Sequence, residues 1–313
     1  MKVVRTVAEA RAALSALPRP LGLVPTMGAF HEGHLSLMRA ARDRCAAVAV
    51  SLFVNPTQFR DEQDLERYPR DEARDFELAE EAAVDVLYAP AADAMYGPHA
   101  ATTVSVGGSV TERYEATERP SHLDGVATVV TKLFSITTPD LAFFGRKDAQ
   151  QLAVIRRLCD DLDLPVEIVA VDTLREPDGL AMSSRNAALN EAQRTKAADL
   201  FRALQAGRSV AAAGRKAIID EVTAKLVLGF PPYLDETPSD EPAGPLFSID
   251  YVDVVDPDTF ERIEIPAADS LIIVAARLGE TRLIDNLPIG EPTEHDDQEA
   301  ATDETARTTE REG

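Results

Sequence analysis

Two histidines three residues apart, His31 and His34, frame a glycine in PTMGAFHEGHLSLMRAA (25–41). With only five histidines in the chain, the pair asks for a chemical reason. An apolar run ends at Thr26 and a helical pattern begins near Gly33. Imidazoles at such a turn can donate to phosphate oxygens. The start of the helix adds N–H groups and the positive end of its dipole. Gly28 and Gly33 let backbone approach a ligand closely. A lone histidine here would be an ordinary cap or core residue; two at this spacing point to a nucleotide-phosphate site without a Walker loop.

Three further stretches carry usable groups. In SLFVNPTQF (51–59), Asn55 and Gln58 end a buried run and offer amide donors and acceptors to a small polar substrate, although Asn-Pro is also a common turn. In FFGRKDAQQL (143–152), Lys147 can clamp phosphate and Gln151 lies one turn into the next helix. Asp148 reads as an N-cap or as a ligand to metal or ribose. In DGLAMSSRN (178–186), Ser183, Ser184 and Arg185 are successive polyanion donors on a loop between two domains, well placed to close over phosphates.

The elements that must position these groups alternate. Thr6 and Glu9 have capping-box spacing before a helix over 6–17. Residues 21–26 read as a strand, 33–45 as a helix and 46–56 as a strand covered on both faces, a βαβ unit with parallel pairing. Helices follow at 70–83, 125–137 and 148–162, with strands at 84–90, 139–145 and 165–174. A long helix over 190–207, a helix over 215–228 and strands near 248–255 and 271–275 complete the pattern. The fold class is α/β, a Rossmann-like doubly wound parallel sheet (1–175) with a second, smaller α+β domain (176–287). The Pro- and acid-rich stretch 229–245 reads as a mobile loop, and 288–313 as a disordered acidic tail.

The formal charge is −22 and there is no basic run, which argues against nucleic acid as a partner. No apolar run reaches membrane-spanning length. Charge interrupts the N-terminus before a signal-peptide core could form. Cys45 and Cys159 match neither a metal spacing nor a disulfide framework, as expected of a protein in a reducing cytoplasm.

Together, LVPTMGAFHEGHLSL, SLFVNPTQF, DLERYPR, GVATVVTKLF and DGLAMSSRN resemble the pantoate–β-alanine ligase (pantothenate synthetase) family of the H-x-G-H nucleotidyltransferase superfamily, over roughly residues 1–290. The resemblance implies ATP-dependent condensation of pantoate with β-alanine through a pantoyl-adenylate, with ATP as co-substrate, Mg²⁺, and a homodimer. It implies catalytic roles for His34 (general acid), His31 and Lys147. It implies an ATP site built from Met27, Gly28, Ala29, Phe30, His31, Glu32, Gly33, His34, Gly145, Arg146, Lys147, Asp148, Leu174, Met182, Ser183, Ser184 and Arg185. Gln58, Gln151 and Asn55 would hold pantoate and β-alanine. No metal ligand is assigned.

Three departures stand out. Arg146 and Ala149 replace the family's usual Glu and aromatic residue. Asp124 in SHLDGVAT reverses a charge expected near the substrate mouth, which weakens His122 as a site residue. The 229–245 stretch and the acidic tail look like additions. Two other functions stay open at this point: a different H-x-G-H adenylyl- or cytidylyltransferase, and a non-catalytic nucleotide sensor marked by the altered 146–149 segment.

Overall fold

The computed structural model describes residues 1–59, 61–229 and 246–290. The expected loop beyond Gly229 and the acidic tail beyond Gly290 lie outside them.

The chain runs β1 (Lys2–Val4), α1 (Val7–Leu14), β2 (Leu21–Thr26), α2 (Glu32–Arg44), β3 (Ala47–Leu52), α3 (Glu62–Arg67), α4 (Glu72–Glu81), β4 (Val86–Tyr88), α5 (Ala92–Tyr96), α6 (Glu115–Glu118), α7 (His122–Thr137), β5 (Leu141–Gly145), α8 (Ala149–Asp161) and β6 (Glu167–Val171). It continues through α9 (Glu191–Ala197), α10 (Asp199–Ser209), α11 (Arg215–Leu228), β7 (Phe247–Val255), β8 (Leu271–Leu278) and β9 (Thr281–Pro288).

The six N-terminal strands form one parallel sheet in the order β1-β4-β3-β2-β5-β6. The Thr6–Glu9 capping box forms as the spacing predicts. The central strands are apolar throughout because both faces are covered. Leu21, Leu23, Ala47 and Ala49 join a core that includes α1, α7 and α8, while Val24, Val48 and Val50 face α2 and α4. From β2 the chain winds one way to β3 and β4, and later the other way to β5 and β6. The order therefore reverses between β2 and β5, where an open α/β sheet leaves a crevice at its carboxyl edge.

The second sheet is antiparallel, β7-β8-β9. Strand β8 is also two-faced: Ile272, Val274 and Ala276 pack against α10 and α11, whereas Leu271 and Ile273 join the core of the parallel sheet. The small sheet is thus seated on the large one through apolar side chains.

Several boundaries differ from expectation. The helix expected over 190–207 is two helices that meet at Ala198. Helix α7 starts three residues early, at His122. Strands β1 and β9 were not anticipated. Order also continues past 288, since the Ile289 and Gly290 amides donate to the Ser270 and Ala268 carbonyls.

Candidate active site

A cavity of about 270 Å³ opens at the β2/β5 reversal. Its walls bring together His31, His34, Lys147, Gln58, Gln151, Asn55, Met27, Gly33, Gly145, Asp148, Leu174, Met182, Ser183, Ser184 and Arg185.

The imidazole pair is built by the local backbone. His31 is the N-cap of α2, and its Nδ1 accepts the Gly33 N–H at 3.1 Å. The His34 Nδ1 takes the His31 N–H at 3.4 Å, completing a capping box made of two imidazoles. A side chain at position 33 would put its Cβ 2.9 Å from the His31 Cε1, so the glycine makes room for the folded ring. Burial, followed by the charges of His31 and Lys147, lowers the His34 pKa to about 3. Burial, then Lys147, also lowers His31. His34 is therefore neutral at pH 7. With Nδ1 occupied by an N–H, each neutral ring carries its hydrogen on Nε2.

Not all of the 27–34 loop faces the cavity. Asp75, buried on α4, accepts the Ala29 N–H at 2.8 Å and the Phe30 N–H at 2.6 Å. Those two amides are spent within the protein. The Phe30 ring is buried in the core, and Glu32 pairs with Arg39 on the helix surface. Gly28 (φ +86°) makes the turn itself, and a Cβ there would strike Leu52 and Asp75.

The amide pair is real, but its third member serves it. Asn55 is 1% exposed and its groups are engaged. Its Oδ1 accepts from Tyr96 OH and Thr57, and its Nδ2 donates to the Gly125 carbonyl and to the Gln58 Oε1, each at 3.1 Å. Asn55 therefore aims Gln58 and is not itself offered to substrate. Among the described residues, the Gln58 Nε2 meets only the Met27 thioether, a weak acceptor that a substrate oxygen can displace. Among the described residues, no protein group holds the Gln151 side-chain amide, which faces the same cavity. Gly125 allows α7 to lie against this turn: a Cβ there would sit 2.5 Å from the Thr57 carbonyl oxygen.

One turn before Gln151, Lys147 stands 3.6 Å from Asp148 and is largely buried. Asp148 makes no cap hydrogen bond to α8, contrary to one of its two expected roles. Arg146 does not line the cavity. It pairs with Asp172, which does. Ser183 Oγ accepts the Arg185 N–H, and Arg185 lies 3.9 Å from Asp64. The Leu174 carbonyl accepts the Met182 N–H, closing a hairpin that leads into the serines.

His122 and Asp124 behave otherwise than their motif suggested. His122 is buried, with its Nδ1 2.8 Å from the Gln58 carbonyl oxygen and its Nε2 3.2 Å from an Arg119 nitrogen. The carbonyl needs a donor and the guanidinium is one, so the ring is neutral with hydrogen on Nδ1. Burial and then Arg119 lower its pKa to about 4. Asp124 accepts from Ser105 and is absent from the cavity wall, so it does not reverse the charge at the mouth.

Sequence reasoning missed Arg119, Glu115, Tyr68, Asp172 and Arg282, all of which line the cavity. Arg119 is a cation on the wall, held by His122 and the Gln58 carbonyl, and burial lowers its pKa to about 10. Its place in ERPSHLDG, next to the histidine, was the available signal.

The chain is similar to proteins of known activity along nearly its whole length. The family model described as pantoate-beta-alanine ligase matches residues 2–288. A pantothenate synthetase of Gluconobacter oxydans is 48% identical over 290 residues, covering 92% of this chain and 100% of the relative. One of Roseiflexus castenholzii is 48% identical over 287 residues, covering 91% and 98%. The crystal structure of pantothenate synthetase from Thermus thermophilus matches with a TM-score of 0.84 at 44% identity, covering 93% of this chain and 100% of that one. The Francisella tularensis pantoate-beta-alanine ligase, complexed with beta-gamma ATP and beta-alanine, matches with a TM-score of 0.75 at 27% identity, covering 94% and 100%.

Proposed function

The chain belongs to the pantoate–β-alanine ligase family, and from that premise we propose that it joins its substrates through a pantoyl-adenylate formed in the cavity at the β2/β5 reversal. The overall reaction condenses pantoate with β-alanine and converts ATP to AMP and pyrophosphate. The observation that carries the site is that one cavity holds the imidazole pair, Lys147 and the Ser183–Arg185 donors together with the Gln58 and Gln151 amides.

In the first step, a pantoate carboxylate oxygen attacks the α-phosphorus of ATP, and the bond to pyrophosphate breaks with its electron pair. The nucleophile is already ionised, so no protein base is needed. The protein's work is to align two anions and offset the charge on the phosphates. Lys147, Arg185, the two serines and the Nε2–H groups of His31 and His34 are the donors for this. His34, neutral at pH 7 in the free protein, acts by hydrogen bonding, which refines the general-acid role that the family resemblance implied. Gln58 and Gln151 grip pantoate, and Arg119 adds a cation for a substrate carboxylate. In the second step, the neutral β-alanine amine attacks the acyl carbonyl, AMP departs and the amine gives up a proton. The small sheet and the serine loop keep out water that would otherwise hydrolyse the adenylate.

Mg²⁺ enters this proposal with the triphosphate. Among the described residues, no cluster of three or more His, Cys, Asp or Glu could cage a metal. A hard cation that keeps its waters and binds phosphate needs only one or two carboxylates. Asp148 and Asp172 on the cavity wall fit that role. The ion's contribution there would be to neutralise phosphate charge.

We also propose a homodimer, which light scattering would report as twice 33.9 kDa, a cytoplasmic location, and a division near residue 175 between the nucleotide- and pantoate-binding domain and the C-terminal lid. No helix among the described residues is long and apolar enough to cross a membrane. The decisive assay follows AMP from ATP with pantoate and β-alanine each omitted in turn, using pantoate labelled with ¹⁸O in its carboxylate. Label in the AMP supports the adenylate. Unlabelled AMP, or ADP as product, overturns it.

A further inference from the structure

Lys147 sits on a single tight turn, Arg146–Asp148, which has no side-chain cap at its start. A turn that short cannot fix its own orientation. What holds it comes from the other sheet: the Asn286 Nδ2 donates to the Arg146 carbonyl at 3.0 Å and to the Lys147 carbonyl at 2.9 Å. The preceding residue on the same strand holds the other phosphate-facing loop. Asp285 is buried and accepts both arms of Arg175, at 2.6 and 3.0 Å. Arg175 also donates to the Gly179 carbonyl and lies 3.8 Å from the centre of the Phe201 ring, closing the 174–182 hairpin that delivers Ser183. Gly179, at φ +95°, presses so close to Phe201 that a Cβ would come within 2.5 Å of it.

We propose that Asp285 and Asn286 are positioning residues: together they clamp the Lys147 turn and the Ser183–Arg185 loop, so that β9 sets the distance between the two cationic walls of the ATP site. This clamp, which rests on the ATP reading above, gives the small sheet a task besides excluding water. It also explains why an edge strand buries a carboxylate and an amide that could otherwise face solvent. Both walls are tied to adjacent residues of one strand, so a shift of β9 moves them together.

The test is a set of double-mutant cycles on the full chain. The readout is the affinity of an ATP analogue with a methylene between the α- and β-phosphates, measured by titration calorimetry without pantoate. Asn286→Ala should weaken binding about tenfold in the unaltered chain and in Arg185→Ala, but less than about twofold in Lys147→Ala. Asp285→Asn should show the converse, with its effect lost on Arg185→Ala and kept on Lys147→Ala. Effects of equal size on every background would mean general damage to the fold and would overturn the clamp. Melting curves accompany each variant. Asn286→Asp, which keeps the shape but has no side-chain N–H to donate, and Arg175→Lys, which loses the fork, replace variants that do not fold and should show the same pattern. A chain that binds the analogue but releases no pyrophosphate with pantoate would sink the functional reading while leaving the clamp standing. A chain that does not bind it would sink both.

Discussion

The imidazoles of His31 and His34 lie 4.2 Å apart, centroid to centroid, and each spends its Nδ1 on a backbone N–H. The cap that starts α2 is thereby the device that turns two Nε2–H groups toward one cavity. Folding and chemistry use the same atoms, so the spacing cannot change without losing both.

A neutral His34 acting as a hydrogen-bond donor makes a specific prediction. His34→Ala should lower adenylate formation by ~10²-fold or more, the usual loss when a charge-stabilising donor is removed. His34→Gln keeps an N–H donor and should recover part of it. Pantoate-dependent pyrophosphate release measures both. Equal losses in the two variants would mean that the imidazole acts through its proton and not through the bond.

Acid should destabilise the fold through the buried imidazoles. In the unfolded chain a histidine takes up its proton near 6.5, whereas the folded protein holds His122 near 4 and His34 near 3. The stability carried by the neutral rings is complete above pH 6.5 and drains away as pH falls from there toward the folded values. For His122 the full span is worth about 3 kcal/mol. His122→Asn keeps a donor toward the Gln58 carbonyl and removes the titration. Urea unfolding at a series of pH values should show a flatter acid limb in that variant than in the parent.

If Gln58 grips pantoate as proposed and Asn55 only aims it, the two should fail in the same way. Gln58→Ala removes an amide that lines the cavity. Asn55→Ala leaves that amide in place but lets it swing, and also takes from the Tyr96 hydroxyl its Asn55 acceptor. Both should raise the KM for pantoate, Gln58→Ala by about tenfold and Asn55→Ala by less, with the KM for ATP nearly unchanged. Steady-state kinetics with each substrate varied would decide it, and a dominant effect on ATP would count against the assignment.

Periodicity and strand ends revealed the parallel sheet and its crevice, because strands covered on both faces and helices with one apolar face leave strong patterns. The histidine pair, Lys147 and both glutamines were visible for the same reason: each follows a strand end. What escaped was whatever depends on pairing across long sequence distances. TRLIDNLP shows no clean strand pattern because Arg282, Asp285 and Asn286 interrupt it, yet it is strand β9, and those groups are buried against Glu115, Arg175 and the Lys147 turn. Asp75 looks like the polar face of a surface helix until two loop amides are found on its carboxylate. The break at Ala198 has no Gly or Pro to announce it.

The most consequential of these hidden pairs for stability is Arg282 with Glu115. The guanidinium donates to both carboxylate oxygens, at 2.9 and 2.6 Å, and both side chains are less than a tenth exposed. Burial pushes the Glu115 pKa up, but the Arg282 fork overcomes this and holds it below its ordinary value. Asp250 and Tyr251 on β7 complete the network, which ties α6 to the small sheet. Arg282→Met alone leaves a carboxylate buried without its partner and should cost about 3–5 kcal/mol. Glu115→Gln on top of it removes the stranded charge and should return a large part of that loss. Denaturant unfolding of the single and double variants measures the recovery. Two losses that simply add would show that the sheets are held by their apolar seam alone, with the ion pair contributing nothing specific.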